Sequence, residues 1–188
     1  MKNLKSLALA VVVLLSTVSV TAQIKKIDVT KSKIEWIGKK VTGKHNGTVN
    51  FTDGSLTFKK NKLSSGSFTV NMTTLTATDL TGEYKDKLDG HLKADDFFGT
   101  EKFPTATLVF KKTTAVSNGL YKIAADLTIK GITKPVTFDL AVKGKTATST
   151  FNIDRTKYDI KYGSKSFFDS LGDKAISDEF EVKVSLNF

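Results

Sequence analysis

The two histidines are the residues of this sequence best suited to acid–base or metal chemistry, because imidazole titrates near neutral pH and binds metal ions. His45 lies in a glycine-flanked stretch, 43–47, that is typical of an exposed turn. His91 precedes Asp95 at helical spacing, so the two side chains could share a metal ion. Two ligands do not complete a metal site. The spacing favours a capping or hydrogen-bonding pair, and we expect no metal centre.

Other catalytic patterns are missing from the sequence. It contains no cysteine, which excludes thiol chemistry and disulfides and leaves stability to core packing. It contains no nucleophile elbow of the Gly-x-Ser-x-Gly type, no phosphate-binding loop and no dinucleotide-binding turn. The carboxylates at Asp95-Asp96 and from Asp169 to Glu179 stand in polar surroundings, where such groups are usually solvated or capping. These observations indicate that the protein is not an enzyme and needs no cofactor.

The amino-terminal residues have the pattern of a secretory signal peptide. Lys2 and Lys5 precede an apolar run from Leu7 to Leu15, and small residues follow up to Ala22. The apolar run is shorter than the roughly 20 residues that a membrane-spanning helix needs. We therefore predict a signal peptide over residues 1–22 and a single mature domain over 23–188, located in the periplasm or secreted.

The charge of the chain is strongly positive, with a formal net charge of +10. Arg155 is the only arginine, so nearly all of the positive charge comes from lysines at the ends of apolar segments. Nucleic-acid surfaces more often use arginine beside exposed aromatic rings. We expect no nucleic-acid partner, and instead a solvated face with transient attraction to anionic membrane surfaces.

Hydrophobic residues alternate with polar ones over most of the chain, which is the pattern of strands with one buried face. The clearest series are 68–72, 106–110, 123–129, 136–142 and 180–188. Asp53-Gly54 and Asn118-Gly119 lie between such segments and favour hairpin turns. Several strands joined by hairpins indicate a sandwich or a closed barrel.

Two segments depart from this alternation. Leu80, Tyr84, Leu88 and Leu92 form an apolar stripe at helical spacing, which predicts an irregular helix within Asp79–Asp96 that crosses one end of the sheet. A second, shorter helix or loop is expected around Phe167 and Phe168, within Ser164–Leu171. The outward strand positions carry lysine and threonine without aromatic girdles, which favours a soluble barrel over an outer-membrane one.

Four stretches of this sequence resemble the YceI-like polyisoprenoid-binding family. Two are 91–106, which reads HLKADDFFGTEKFPTA, and 127–136, which reads LTIKGITKPV. The others are SKIEW at 32–36 and FNIDR at 151–155, and the order matches from about Ile27 to Phe188. The resemblance implies an all-β fold, an eight-stranded antiparallel lipocalin-like barrel with one or two short helices. It also implies an exported protein that encloses a polyisoprenoid or similar long-chain amphiphile, and it admits a homodimer.

Inward-facing apolar residues are the predicted ligand-binding set, with two polar residues placed at the entrance for a head group. For Arg155 an ion pair with Asp154 or Asp95 is an equally good interpretation. The alternative function is a hydrolase-type enzyme that uses His91, Asp95 and Arg155. The predicted ligand-binding residues are Trp36, Phe51, Phe68, Val70, Met72, Phe97, Phe98, Leu108, Phe110, Phe138, Phe151, His91 and Arg155.

Overall fold

Alternating segments of the sequence form nine antiparallel strands and one helix in the computed structural model, which describes residues 22–188. The predicted signal peptide therefore lies outside the described residues, except for Ala22. The strands are β1 (Ala22–Lys26), β2 (Lys33–Lys40), β3 (Gly43–Lys59), β4 (Lys62–Ala77), β5 (Thr105–Ser117), β6 (Leu120–Ile129), β7 (Ile132–Lys143), β8 (Thr146–Asp154) and β9 (Ile176–Asn187), and the helix is α1 (Gly82–Lys93).

Strands β2 to β9 close into an eight-stranded barrel. The order around the sheet is β3-β2-β9-β8-β7-β6-β5-β4, and pairing of β3 with β4 closes the ring. The short strand β1 lies outside this ring and pairs with the last part of β3, Ala22 opposite Lys59. The predicted eight-stranded antiparallel barrel is confirmed, and closure removes the unpaired edges that an open sheet would leave.

The core consists of the inward-facing members of the alternating series, as period-two patterning requires. A row of phenylalanine rings crosses the interior from strand to strand. The centroid distances are 6.0 Å for Phe51–Phe68, 5.8 Å for Phe68–Phe110, 6.0 Å for Phe110–Phe138 and 4.6 Å for Phe138–Phe151. These spacings are those of favourable aromatic pairs.

The barrel has two different ends, which we call the turn end and the helix end. The turn end holds the tight hairpins at Lys60-Asn61, Asn118-Gly119 and Gly144-Lys145. The helix end holds the β2–β3 turn, α1 with the segment after it, the Lys130-Gly131 hairpin and the β8–β9 connection, 155–175. That connection begins with a 3-10 helix, Arg155–Tyr158, and has a second one at Gly172–Lys174.

One of the two predicted hairpin turns is correct and the other is wrong. Asn118-Gly119 joins β5 to β6, and Gly119 has the positive φ of 77° that such turns require. Asp53-Gly54 lies inside β3 at an irregularity in its pairing with β4. Gly54 is there for space, because a Cβ atom would lie 2.5 Å from Cδ1 of Phe68. The actual β3–β4 turn uses Lys60 and Asn61, both with positive φ.

The helix predicted within Asp79–Asp96 is present as α1, but its apolar stripe is only partly buried. Leu92 is buried and Leu88 packs against the core, whereas Tyr84 is 77 % exposed. Asp89 ties the helix to β4, because its carboxylate accepts a hydrogen bond of 2.7 Å from the backbone N–H of Ala77. Within residues 22–188 no helix has the length and apolar character needed to cross a membrane.

Candidate ligand-binding cavity

An apolar cavity of about 1240 Å³, part of it continuous with solvent, occupies the barrel between its middle and the helix end. Its wall is formed by inward side chains of the barrel strands and by residues of α1 and the segment after it. Among the described residues, polar groups on the wall come only from the side chains of Ser149, Ser177 and Arg155 and from the indole of Trp36. Ser149 already donates a hydrogen bond of 2.6 Å to the backbone oxygen of Asp139. A wall with so few polar groups suits an apolar chain.

The turn end of the barrel is filled and does not belong to this cavity. Leu56 and Ile123 are fully buried, and Phe58, Leu63 and Tyr121 pack beside them. None of these five side chains lines the cavity. The barrel therefore has a packed part at the turn end and a hollow part, which reaches toward the turn end only at Leu140 and Leu186.

The structure places twelve of the thirteen predicted ligand-binding residues on the cavity wall. They are Trp36, Phe51, Phe68, Val70, Met72, Phe97, Phe98, Leu108, Phe110, Phe138, Phe151 and Arg155. Contact of these residues with a ligand remains a prediction. The prediction missed lining residues that the same alternation could have supplied, namely Ile34, Leu127, Ile129, Leu140, Ile153, Phe180, Val182, Val184 and Leu186.

Arg155 is a buried cation on this wall, with only 2 % of its side chain exposed. Its guanidinium donates hydrogen bonds to three backbone oxygens, of Ser177 (2.9 Å), Ile160 (2.8 Å) and Ile176 (3.1 Å). Its Cζ atom lies 5.7 Å from the centre of the Phe97 ring. A guanidinium has five N–H donors, so these three bonds leave two, but the buried side chain presents almost no polar surface to the cavity.

Neither of the two predicted ion-pair partners of Arg155 pairs with it. The carboxylate near it belongs to Asp178, at 3.7 Å, while Asp154 pairs with Lys157 and Asp95 with Lys102. Burial lowers the pKa of the Arg155 guanidinium, and the charge of Asp178 opposes that shift. Burial also disfavours ionisation of Asp178, yet nearby serine hydroxyls and Arg155 outweigh it and lower the pKa of that carboxyl.

His91 lies in the last turn of α1 and is absent from the cavity wall. Its ring packs edge-on against Tyr162, at 4.5 Å between centroids, and against Phe97, at 5.4 Å. Its Nε2 atom is buried without a hydrogen-bond partner. No hydrogen bond or ion pair joins His91, Asp95 and Arg155, and the described residues contain no cluster of metal-ligating side chains.

Trp36 lines the cavity, but its indole N–H is buried. The residue is 8 % exposed, lines the cavity, and its indole Nε1 has no hydrogen-bond partner. Buried polar groups without a partner are uncommon, and each one needs an explanation. Because the nitrogen is buried, a ligand oxygen would reach it only after a movement of the neighbouring side chains.

Comparison with known proteins gives matches of two kinds. A UPF0312 protein of Shewanella denitrificans is 37% identical over 99 residues, which is 53% of this chain and 50% of that protein. A UPF0312 protein of Staphylococcus aureus is 40% identical over 85 residues, which is 39% of this chain and 47% of that protein. The chain thus spans about half the length of these curated relatives.

Solved structures confirm the fold at low identity. The crystal structure of Burkholderia cenocepacia BcnA superposes with a TM-score of 0.68 at 22% identity, over 85% of this chain and 98% of that one. A polyisoprenoid binding domain from Saccharophagus degradans, implicated in plant cell wall breakdown, gives 0.56 at 14% identity, over 89% and 97%. The family model of the YceI-like domain matches residues 25–188. The chain therefore belongs to the YceI-like family.

Proposed function

We propose that the protein is an exported binding protein that holds a polyisoprenoid or similar long-chain amphiphile inside the barrel. The observation that carries this proposal is the cavity of about 1240 Å³, partly open to solvent, whose wall is almost entirely apolar. Each methylene group moved from water into such a wall contributes about 0.8 kcal/mol. Family membership and the polyisoprenoid-binding fold neighbour support the same ligand class.

The polar end of the amphiphile lies beside Arg155 in this proposal. Arg155 and Ser177 stand where the cavity meets the helix end, and the rest of the wall offers a head group only Ser149 and the indole N–H of Trp36. Hydrogen bonds to a charged donor are about twice as strong as neutral ones, so Arg155 is the better anchor. His91 contributes indirectly, by packing against Phe97 on the wall.

Binding rather than catalysis is supported by the arrangement of the polar residues. The hydrolase alternative needs His91, Asp95 and Arg155 together, but each has its contacts elsewhere. Export is supported by the signal-peptide pattern of residues 1–22. A periplasmic or secreted location follows from it.

The test uses Trp36, the only tryptophan, whose place on the cavity wall makes its fluorescence a reporter of occupancy. Protein purified without detergent and delipidated is titrated with a long prenol, and a saturable change is expected. The variant Gly38→Leu adds a side chain at a residue that lines the cavity, where the nearest atom to an added Cβ lies 4.0 Å away. Three displaced ligand carbons correspond to about 2.4 kcal/mol, so affinity falls roughly sixtyfold.

The matched control is Phe167→Gln, which changes an aromatic residue that is 49 % exposed and does not line the cavity. We expect this variant to bind as the unmodified protein does. A lack of saturable binding by the unmodified protein, or equal binding by Gly38→Leu, contradicts the proposal.

A further inference from the structure

The turn end of the barrel concentrates positive charge. Its hairpins and the adjoining strand ends, at 22–25, 57–64, 115–122 and 141–148, contain seven lysines and no aspartate or glutamate. The β1–β2 connection, 27–32, reaches the same end beside Asn187 and adds one ion pair, between Lys31 and Asp28 at 3.0 Å. The helix end, at 41–47, 78–104, 130–131 and 155–175, contains eleven basic and ten acidic residues. Most of the net positive charge of the protein therefore lies at the turn end.

Most of the turn-end lysines have no carboxylate partner among the described residues. Lys122 pairs with Asp139 at 3.5 Å, and the ammonium of Lys25 lies 5.2 Å from the centre of the Phe58 ring. No ion pair involves the other five, which are all exposed: Lys59, Lys60, Lys62, Lys143 and Lys145. Lysines of the helix end are more often neutralised, as Lys85 is by Asp89 and Lys87 by Glu83.

The surface among these lysines also has features that suit lipid head groups. A groove of about 620 Å³ opens there, and its polar lining includes Gln23, Asn61 and Asn118. The groove is open to solvent, and the side-chain amides of Asn61 and Asn118 carry N–H donors that suit a phosphate oxygen. Two aliphatic side chains project from the same end, Ile24 at 66 % and Val116 at 56 % exposure.

We propose that the turn end is a docking surface for a bilayer that contains anionic phospholipids. Clusters of four to eight basic residues are the common device for such binding, and each contributes additively near the surface. Lysine suits the mobile, scattered phosphates of a bilayer because its ammonium group is a point charge on a flexible chain. Arginine suits bidentate recognition of a fixed group. The exposed Ile24 and Val116 add apolar contact at the interfacial depth.

The docking surface lies at the opposite pole from the polar end of the cavity. Arg155 and Phe167 belong to the helix end, whereas the lysines lie beyond the packed plug of Leu56 and Phe58. A docked barrel thus directs its helix end away from the bilayer. Docking and cargo binding depend on different residues, so one can be lost without the other.

The test is co-sedimentation with vesicles, using the folded protein. Binding is compared between neutral phosphatidylcholine vesicles and vesicles with three tenths phosphatidylglycerol, at low and high salt. We expect binding only to the anionic vesicles, and weakening as salt screens the charges. The triple variant Lys59→Glu, Lys62→Glu, Lys145→Glu is expected to lose about a hundredfold or more in affinity.

The matched control is the triple variant Lys44→Glu, Lys165→Glu, Lys174→Glu, which makes the same change in net charge at the helix end. We expect it to keep its affinity within about threefold, since these sites lie far from the docked surface. Circular dichroism establishes that both variants are folded, and the prenol titration of Trp36 reports cargo binding independently.

Three outcomes overturn the proposal. Equal losses in the two triple variants mean that only net charge matters. Loss of binding in Phe167→Ser, Phe168→Ser, with the turn-end variant unaffected, places the contact at the helix end. Binding to soluble polyglutamate but not to anionic vesicles assigns the surface to an acidic macromolecule instead of a bilayer.

Discussion

The helix end and the turn end of this barrel are built from the same eight strands but differ in packing and in charge. At the helix end the interior is hollow, its one buried cation is held by three backbone oxygens, and surface charges are nearly balanced. At the turn end the interior is filled by side chains such as Leu56 and Phe58, and most of the lysines have no carboxylate partner among the described residues, Lys122 with Asp139 being an exception.

This difference shows how a closed barrel can separate two tasks. Buried apolar side chains in both parts of the barrel stabilise the fold, and many of those around the cavity, such as Phe110 and Phe138, also form its wall. At the turn end the buried side chains close the interior. The long connections of the helix end, α1 and 155–175, contribute residues to the cavity wall. The tight hairpins of the turn end contribute only surface residues.

The largest expected effect tests whether Arg155 holds the helix end together. Arg155→Met keeps an apolar chain but leaves the backbone oxygens of Ser177, Ile160 and Ile176 without donors. The free energy of unfolding should fall by about 3–5 kcal/mol, since each buried unpaired group costs about 1–3 kcal/mol. Lys62→Met at the turn end should change it by less than about 0.5 kcal/mol. Urea denaturation measures the unfolding free energy of both variants. Similar losses in the two would show that Arg155 does not hold the helix end together.

The next effect compares two glycines of the turn end. Gly119 and Gly144 both have positive φ, but a Cβ at Gly119 would lie 2.5 Å from the backbone oxygen of Val142, whereas Gly144 has open space. Left-handed backbone alone costs an L-residue about 1–2 kcal/mol, which we expect for Gly144→Ala. Gly119→Ala should cost more, about 2–4 kcal/mol, because the hairpin must also move. Equal losses of unfolding free energy would show that the β5–β6 hairpin relaxes freely.

A smaller effect concerns the pH dependence of the ion pair at the helix end. Asp178→Asn should lower the unfolding free energy by about 1–2 kcal/mol near pH 7, because it leaves buried Arg155 without a carboxylate. The folded-state pKa of Asp178 is depressed, so its contribution is fully present above the unfolded pKa of about 3.9. It is lost as the pH falls through the lower folded-state value, where the two proteins should converge.

The control for this pH experiment is Asp139→Asn in the turn-end half. The side chains of Asp139 and Lys122 are 3.5 Å apart, and they are 59 % and 60 % exposed, respectively. Exposed pairs of this kind contribute at most about 1 kcal/mol. Denaturation is measured from about pH 2 to about pH 7, a range that spans the titration of a carboxyl group. Over this range the unfolding free energy of Asp139→Asn should differ little from that of the unmodified protein. A constant deficit of Asp178→Asn across that range contradicts the assigned role of its charge.

The smallest effect is a gain in stability. Gly90 lies inside α1, and an added Cβ would meet no atom within 4 Å. Gly90→Ala should raise the unfolding free energy by about 0.5–1 kcal/mol, since alanine is the better helix former. The Trp36 titration with prenol should be unchanged. A loss of stability would mean that the backbone of α1 must stay adaptable at this position.

Much of the barrel could be predicted from the sequence because one rule, alternation on a strand, determines which side chains face inward. Phe110 and Phe138 are found on the cavity wall for that reason. Predictions from local sequence were wrong where contacts between distant segments determine the structure. Asp53-Gly54 has the composition of a turn, but contacts of Gly54 with Phe68 and Ile27 keep it inside a strand. Tyr84 fits a helical stripe, yet the sheet covers only the other end of α1.

The partner of Arg155 could not be predicted from spacing. Asp178 is reached only because β9 returns beside β8, which depends on the whole topology. The lysine-rich pole, in contrast, had a usable signal. Alternate hairpins of an up-and-down barrel meet at the same end, and lysines flank both the Lys60-Asn61 and the Gly144-Lys145 turns.

The most direct test of the central claim is lipid extraction under denaturing conditions, followed by mass spectrometry, of the exported protein purified without detergent. The account predicts a prenyl or other long-chain amphiphile in near-stoichiometric amount, and its strong depletion in Gly38→Leu prepared in the same way. Protein that emerges without lipid, and stays empty after incubation with prenyl lipids, would contradict the carrier function.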